Sequence, residues 1–199
     1  METVLRQSLK KGISYAAYRR LVNKLASEKG TSGKVQTASL INYTQLNDRR
    51  MNRWDKTFKI AQEVQDKLSR LAINMTWLVL TESWCGDASP SLPVIHKIAE
   101  LVPGLELKIV FRDENPALMD LFLTNETRSI PKLIALRTDT LSVLGEWGPR
   151  SSTATKMVDD YKRLHGKLTP EFKQDLQVWY NKDKGADILE DLLQLLALE

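Results

Sequence analysis

Cysteine is almost absent from this chain, since Cys85 is the only one among 199 residues. A single cysteine cannot form an internal disulfide, which excludes the disulfide-stapled frameworks of small secreted proteins. Histidine is also rare, and His96 and His165 do not cluster with Cys85 or with carboxylates as metal ligands would. The sequence therefore predicts no metal site and no cofactor.

Long apolar runs are missing as well. No stretch approaches the roughly 20 residues that a membrane-spanning helix needs, and the N-terminal segment METVLRQSLKKG lacks the apolar centre of a signal peptide. A lone thiol that stays reduced is typical of the cytoplasm. We therefore expect a cytoplasmic protein without a membrane partner, and a hydrophobic content of 42% is enough for a real core.

Positive charge is concentrated in the first part of the chain. Residues 1–70 carry 15 Lys and Arg against 6 Asp and Glu, whereas residues 71–199 carry 14 against 19. This asymmetry fits basic helix faces that lie against a more acidic core, or alternatively a surface for an anionic partner. No helix-turn-helix or RNA-binding signature accompanies it, so nucleic-acid binding is not indicated.

The stretch around Cys85 organises the rest of the sequence. Residues 77–80 form a wholly apolar run typical of a strand buried on both faces. A helix is predicted from Ala88 or Ser89 to Leu101, which places Cys85 at a strand-to-helix turn. The positive end of such a helix can lower a cysteine pKa from about 8.5 to between about 3.5 and about 7.5. The position favours an exposed, reactive thiol over an inert small hydrophobic residue.

Two motifs in this region resemble the thioredoxin superfamily. The segment from Trp84 to Ala88, W-C-G-D-A, stands where thioredoxins have W-C-G-P-C, and Pro93 matches their kinking helix proline. Downstream, R-S-I-P-K-L at residues 128–133 is similar to the R-x-I-P-T-L segment of thioredoxins. In that family the proline, here Pro131, follows a cis peptide bond and abuts the active cysteine.

The resemblance implies an α/β, thioredoxin-like fold with a central mixed sheet and helices on both faces. The core is expected over residues 73–166, with a helical N-terminal extension over 1–72. Residues 167–199 are expected to form C-terminal helices packed on the core or on the extension, or in a homodimer contact. The W-C-G-D-A pattern with a basic helical extension also resembles a group of bacterial thioredoxin family proteins.

Two departures from the thioredoxin pattern bear on activity. Ala88 stands where a dithiol oxidoreductase has its second cysteine, whose thiol resolves the mixed disulfide. Val79 stands where the family has a buried acid. A monomer of this chain therefore cannot complete an internal dithiol cycle.

The resemblance also implies a set of site residues. Cys85 is the predicted catalytic residue, and the predicted substrate contacts are Trp84, Gly86, Asp87, Ile130 and Pro131. Asp87 has two interpretations, because its carboxylate could repel a thiolate or cap the helix that follows. Arg128 is interpreted as a surface residue or an anion contact, and the sequence does not place Arg150.

The remaining periodicities predict the other elements. One helix is predicted over residues 3–28, with a break at residues 12–14 as an alternative, and a less regular helix over residues 37–47. Further helices are predicted over 48–71, 117–123, 152–165, 170–181 and 186–198. Further strands are predicted over 105–111, 132–137 and 141–146, and a turn at residues 138–139 joins the last two.

Two functions follow from these features. The first is monothiol–disulfide exchange at Cys85 with a low-molecular-weight thiol or a protein thiol or disulfide, resolved by an external thiol. The alternative is a redox-inactive binding module of thioredoxin fold that uses the Ile130–Pro131 edge.

Overall fold

The computed structural model describes residues 1–197. The helices in this range are α1 (Glu2–Lys11), α2 (Tyr15–Ser27), α3 (Ala38–Thr57), α4 (Gln62–Leu68), α5 (Ala88–Leu101), α6 (Pro116–Leu121), α7 (Ser152–His165), α8 (Pro170–Asp183) and α9 (Ala186–Leu196), and the strands are β1 (Met75–Thr81), β2 (Leu105–Phe111), β3 (Lys132–Arg137) and β4 (Val143–Trp147). Leu198, at the predicted end of the last helix, lies outside the described residues. None of the helices within residues 1–197 has the length and hydropathy needed to cross a membrane.

The four strands form one mixed sheet in the order β2-β1-β3-β4. β1 runs parallel to β2, with Met75 opposite Leu105, and β3 is antiparallel to both β1 and β4. Every residue of β1 is buried, as its continuous apolar run predicted. Helices lie on both sides of the sheet, so the predicted α/β fold class is confirmed.

The first predicted helix is divided in two by an irregular segment. Between α1 and α2, Ile13 exchanges two backbone hydrogen bonds with Ile109 of β2, each 2.9 Å long. The contact covers part of the free edge of β2, which would otherwise expose unpaired N–H and C=O groups. Ser14 then starts α2 by accepting a hydrogen bond from the N–H of Ala17.

The helix boundaries predicted for residues 37–71 are wrong. One continuous helix, α3, begins after the N-cap Thr37 and ends at Thr57, and α4 follows after a break. The expected apolar periodicity is interrupted because the buried face of α3 contains Thr44, Asn47 and Asp48. These polar residues are buried because they have hydrogen-bond partners in the rest of the fold, which a hydropathy pattern cannot reveal.

The connection between the last two strands is also longer than predicted. β4 begins at Val143 rather than at residue 141, and Leu141 lies in the connecting loop with a positive φ of 58°. A two-residue hairpin turn is therefore not formed.

The last helix, α9, packs on the core of the chain. α9 lies against α5, β4 and α7, and its buried residues include Ile188, Leu192 and Leu195. Asp191 accepts hydrogen bonds from the backbone N–H of Ser152 and the Trp147 indole, and Asp187 accepts one from the N–H of Thr153. These two carboxylates thus accept hydrogen bonds from free N–H groups in the first turn of α7. The apolar face of α9 is therefore buried against the chain's own core.

Candidate functional site

Cys85 lies in the turn between β1 and α5, as predicted. Its backbone N–H donates to the carbonyl oxygen of Glu82 over 3.1 Å, and its thiol donates to the carbonyl oxygen of Ile130 over 3.2 Å. The backbone N–H groups of Asp87 and Ala88, at the start of α5, lower the pKa of this thiol. The site residues from the two distant motifs are therefore in direct contact.

The electrostatic environment of this thiol differs from the one predicted. Cys85 is only 6% exposed, and burial, followed by the charge of Asp87, raises the pKa of its thiol to about 12. The two helix N–H groups and Arg150 lower that pKa, but by less than burial raises it. The expectation of an exposed cysteine with a lowered pKa is wrong, because desolvation outweighs the helix dipole.

Asp87 forms a salt bridge that the sequence could not reveal. Its carboxylate lies 2.6 Å from the Arg150 guanidinium, with the two side chains 13% and 19% exposed. Asp87 stands at the N-cap of α5 but its side chain makes no capping hydrogen bond, so the capping role does not hold. Burial raises the pKa of Asp87, whereas Arg150, Tyr180 and Lys173 lower it.

The loop around Pro131 is fixed by an adjacent glycine. The Ile130–Pro131 and Gly148–Pro149 peptide bonds are both cis. Gly148 has a φ of +108°, and a Cβ there would lie 2.2 Å from the carbonyl oxygen of Pro131. Only glycine fits at position 148, because any side chain would displace the loop that meets Cys85.

A cleft of about 590 Å³ opens beside the thiol. We define the Cys85 cleft by its two helical walls and its base: α3 contributes Leu40, Tyr43, Leu46 and Arg50, α8 contributes Lys173, Leu176 and Gln177, and the base contains Trp84, Cys85, Gly86, Asp87, Ile130 and Arg150. Five of the six predicted site residues therefore line one cavity. The sixth, Pro131, is buried and does not line it.

A sequence profile of the thioredoxin family matches residues 33–162, more than half of the chain. The chain belongs to the thioredoxin family. Two crystal structures resemble this thioredoxin-family fold: a protein of unknown function from Pseudomonas aeruginosa and an HIV epitope scaffold.

The first structure is 17% identical, covers 95% of this chain and 94% of its own, and gives a TM-score of 0.64. The second is 18% identical, covers 93% and 98%, and gives a TM-score of 0.57. At these identities the likeness shows the fold alone. No curated protein matches this chain.

In this thioredoxin-family chain, α3 holds the turn that carries Cys85 through a residue that the sequence did not single out. The side-chain amide of Asn47 is buried and donates to the carbonyl oxygens of Ser83 and Cys85, each over 3.0 Å. α3 thus fixes the backbone on both sides of Trp84. An amide among the polar residues of the buried face of α3 was the only signal in the sequence.

A buried carboxylate near the same turn was also missed. Glu82 is fully buried and accepts hydrogen bonds from the Ser32 hydroxyl and from the backbone N–H of Asp113, the latter over 2.9 Å. Burial raises the pKa of Glu82. Where other thioredoxins place a buried acid, this chain has Val79, and a carboxylate is instead buried three residues later.

The remaining candidates lie apart from the cleft. Arg128 is exposed and pairs with Asp120 over 2.7 Å, in agreement with a surface role. His96 stacks on Tyr15 with ring centroids 4.2 Å apart. Within residues 1–197, no group of three or more His, Cys, Asp or Glu side chains is placed to hold a metal ion.

Proposed function

We propose that this chain is a ligand-binding module of thioredoxin fold in which Cys85 remains a neutral thiol at neutral pH. The observation that carries the proposal is the buried thiol, which donates to Ile130 and has its pKa raised to about 12. A thiol rather than a thiolate is a poor nucleophile. Ala88 supplies no second thiol, so the chain has no internal means of completing a redox cycle.

The Cys85 cleft offers a binding site of suitable size and composition. Its volume of about 590 Å³ lies within the roughly 300–1,000 Å³ of small-molecule sites. Apolar side chains from α3, α8 and Ile130 alternate with a few polar groups, the usual composition of such sites. Of the Ile130–Pro131 pair, only Ile130 lines the base of this cleft.

The rate of alkylation tests this proposal, because the chain contains one cysteine. We expect iodoacetamide to modify native Cys85 far more slowly than the same cysteine in denaturant at the same pH. A rise in pKa from about 9 to about 12 reduces the thiolate fraction by up to about a thousandfold. Alkylation of the native chain faster than that of the denatured chain at neutral pH would overturn the proposal.

A second candidate is monothiol–disulfide exchange, as the thioredoxin fold implies. It is favoured by the N–H groups of Asp87 and Ala88, which lower the pKa of the thiol and would stabilise a thiolate. The Cys85 thiolate would attack a disulfide RS–SR, form Cys85–S–S–R and release RS⁻, and an external thiol would then release R. The disulfide would be that of a low-molecular-weight thiol or of a protein.

Mass spectrometry after acid quench separates the two candidates. A protein incubated with an oxidised low-molecular-weight thiol and quenched in acid would carry a mixed-disulfide adduct on Cys85 if exchange occurs. Unmodified Cys85 in the native chain, with full modification of the denatured chain, favours the binding module.

Two finer proposals concern where the protein belongs. We propose that the W-C-G-D-A motif at residues 84–88, together with the basic helices that precede it, marks a bacterial group within the thioredoxin family. We also propose a cytoplasmic location, supported by the single unpaired cysteine. Fluorescent tagging in the source cell, read against a secreted control, tests the location.

A further inference from the structure

The Cys85 cleft carries more positive than negative charge. Its lining contains three cations, Arg50, Arg150 and Lys173, and a single carboxylate, Asp87. Arg150 is already paired with that carboxylate over 2.6 Å. Two cations, Arg50 and Lys173, are therefore left in the cleft without an acidic partner among its lining residues.

Arg50 is held in the cleft at an energetic cost. Its guanidinium is half-buried and donates to the side-chain oxygen of Asn47 over 3.3 Å, and no ion pair accompanies this bond within the described residues. Burial lowers the pKa of Arg50, as expected for a cation taken partly out of water without a counter-charge. A guanidinium has five N–H donors, so most of the donors of Arg50 remain free for a planar oxyanion.

Lys173 acts on the same region from α8. Its charge lowers the pKa of Asp87, which places it within electrostatic reach of the base of the cleft. Lys173 is exposed and makes neither a hydrogen bond nor an ion pair among residues 1–197. It is therefore free to contact a ligand without breaking an existing contact.

The helices around the cleft add to this positive potential. α3, α5 and α8 begin at Ala38, Ala88 and Pro170, and each of these helix starts has residues in the cleft lining. Helix N-termini carry partial positive charge and unsatisfied N–H groups. This partial positive charge adds to the potential of Arg50 and Lys173, but without those two side chains it would not define a binding site.

We propose that the Cys85 cleft binds a small organic carboxylate, with Arg50 and Lys173 contacting the carboxylate group. The apolar part of the ligand packs against Leu46, Ile130 and Leu176, which line the same cavity. The arginine supplies bidentate hydrogen bonds and the lysine a point charge. This inference rests on the proposed function and names the class of ligand for the same site.

Binding of hexanoate tests the inference, with 1-hexanol as its neutral counterpart and inorganic phosphate as a different oxyanion. Amide chemical shifts of Gly86, Ile130 and Gln177 report occupancy of the cleft. We expect hexanoate to bind at millimolar concentration or below, and more tightly than either comparison compound. Added salt weakens this binding, because part of it is electrostatic.

Two substitutions with matched controls locate the contact. Arg50→Gln is expected to weaken hexanoate binding about tenfold or more, and Lys173→Gln severalfold, since hydrogen bonds to charged groups are the strong ones. The controls are Arg49→Gln and Lys182→Gln, which lie on the same two helices outside the cleft lining. Both controls are expected to bind hexanoate as tightly as the native chain.

Each remaining outcome overturns the inference in a distinct way. If 1-hexanol binds as tightly as hexanoate, the cleft selects apolar ligands. This outcome contradicts the carboxylate proposal but not the proposed binding module. Tighter binding of phosphate, lost in the same variants, shows an oxyanion site of another class. If none of the three compounds shifts these amides, the proposed carboxylate site is contradicted. The alkylation rate of Cys85 is a separate test, which decides whether the thiol is neutral.

Discussion

Arg150 lies 2.6 Å from Asp87, so that the loop after β4 is joined to the start of α5 directly beside the thiol. The carboxylate contributes a negative charge that raises the pKa of Cys85, and the guanidinium opposes it. Burial and the Asp87 carboxylate therefore favour the thiol, whereas Arg150 and the N–H groups at the start of α5 favour the thiolate.

Replacing Asp87 by Asn is expected to lower the pKa of Cys85 and to destabilise the fold. The variant removes the negative charge near the sulfur and leaves Arg150 without its partner, which for a largely buried pair costs about 3 kcal/mol. Ultraviolet thiolate absorbance against pH and urea unfolding measure the two effects. The control is Asp120→Asn, which breaks an aspartate–arginine pair that is about half exposed and should cost less than about 1 kcal/mol. An unchanged thiol pKa in the Asp87 variant would contradict the assigned cause.

Alkaline pH should destabilise the native chain partly through Cys85. Its pKa is raised from 9.0 to about 12 in the folded state, so the stability it contributes is complete below about pH 9. That stability is lost as the pH rises toward 12, because the unfolded chain releases the proton first.

The variant Cys85→Ala measures this contribution. Its free energy of unfolding should fall less steeply between pH 9 and 11, by up to about 1.4 kcal/mol per pH unit. Tyr15, Tyr18 and Tyr180 also have raised pKa values, and both proteins contain them. Because Cys85 contributes to the raised pKa of Tyr18 and Tyr180, the difference in slope reports the thiol together with its coupling to these two tyrosines. Parallel curves for the two proteins would refute the raised thiol pKa.

Removing the Asn47 side chain is expected to loosen the turn that carries Cys85. Asn47→Ala leaves the carbonyl oxygens of Ser83 and Cys85 without their donor, at a cost of about 2–3 kcal/mol. Urea unfolding gives the loss of stability, and hydrogen exchange at the amides of residues 83–86 shows where it occurs. Asn42→Ala, an exposed position on the same helix, should change stability little; an equal loss in both variants would assign the effect to the helix itself.

Glycine is required at position 148 for a steric reason. Gly148→Ala would bring a Cβ to 2.2 Å from the carbonyl oxygen of Pro131, so we expect a loss of several kcal/mol or failure to fold. Gly166→Ala is the matched control, because Gly166 also has a positive φ, of 75°, but a Cβ added there would meet no atom within 4 Å. The control should lose only about 1 kcal/mol from backbone strain. Similar losses in the two variants would show that backbone conformation alone matters.

The parts of the fold that the sequence predicts well are those with a local signal. β1, α5 and β3 have continuous apolar or motif-bearing sequences, and α5 and β3 have the predicted bounds, Ala88–Leu101 and Lys132–Arg137. α3 was divided wrongly because Asn47 and its polar neighbours are buried by contacts to residues far away in the sequence. Hydropathy assigns such residues to the surface.

In the candidate site too, features set by neighbouring residues were predicted, and features set by residues distant in the sequence were not. The turn position of Cys85 follows from the sequence around it, whereas the raised pKa of its thiol follows from burial. The cleft beside it is lined by α3 and α8, which are far from Cys85 in the sequence. The Asp87–Arg150 contact likewise joins residues 63 positions apart in the sequence, and no local pattern encodes it.

The Cys85 cleft draws its lining from α3 near one end of the chain, from the turn at its centre and from α8 near the other end. A molecule that fills it would act as a non-covalent cross-link between segments that are otherwise distant in sequence. Binding would then stabilise the native state against unfolding by mass action. A thermal-shift screen of metabolites could therefore find the natural occupant without any assay of chemistry.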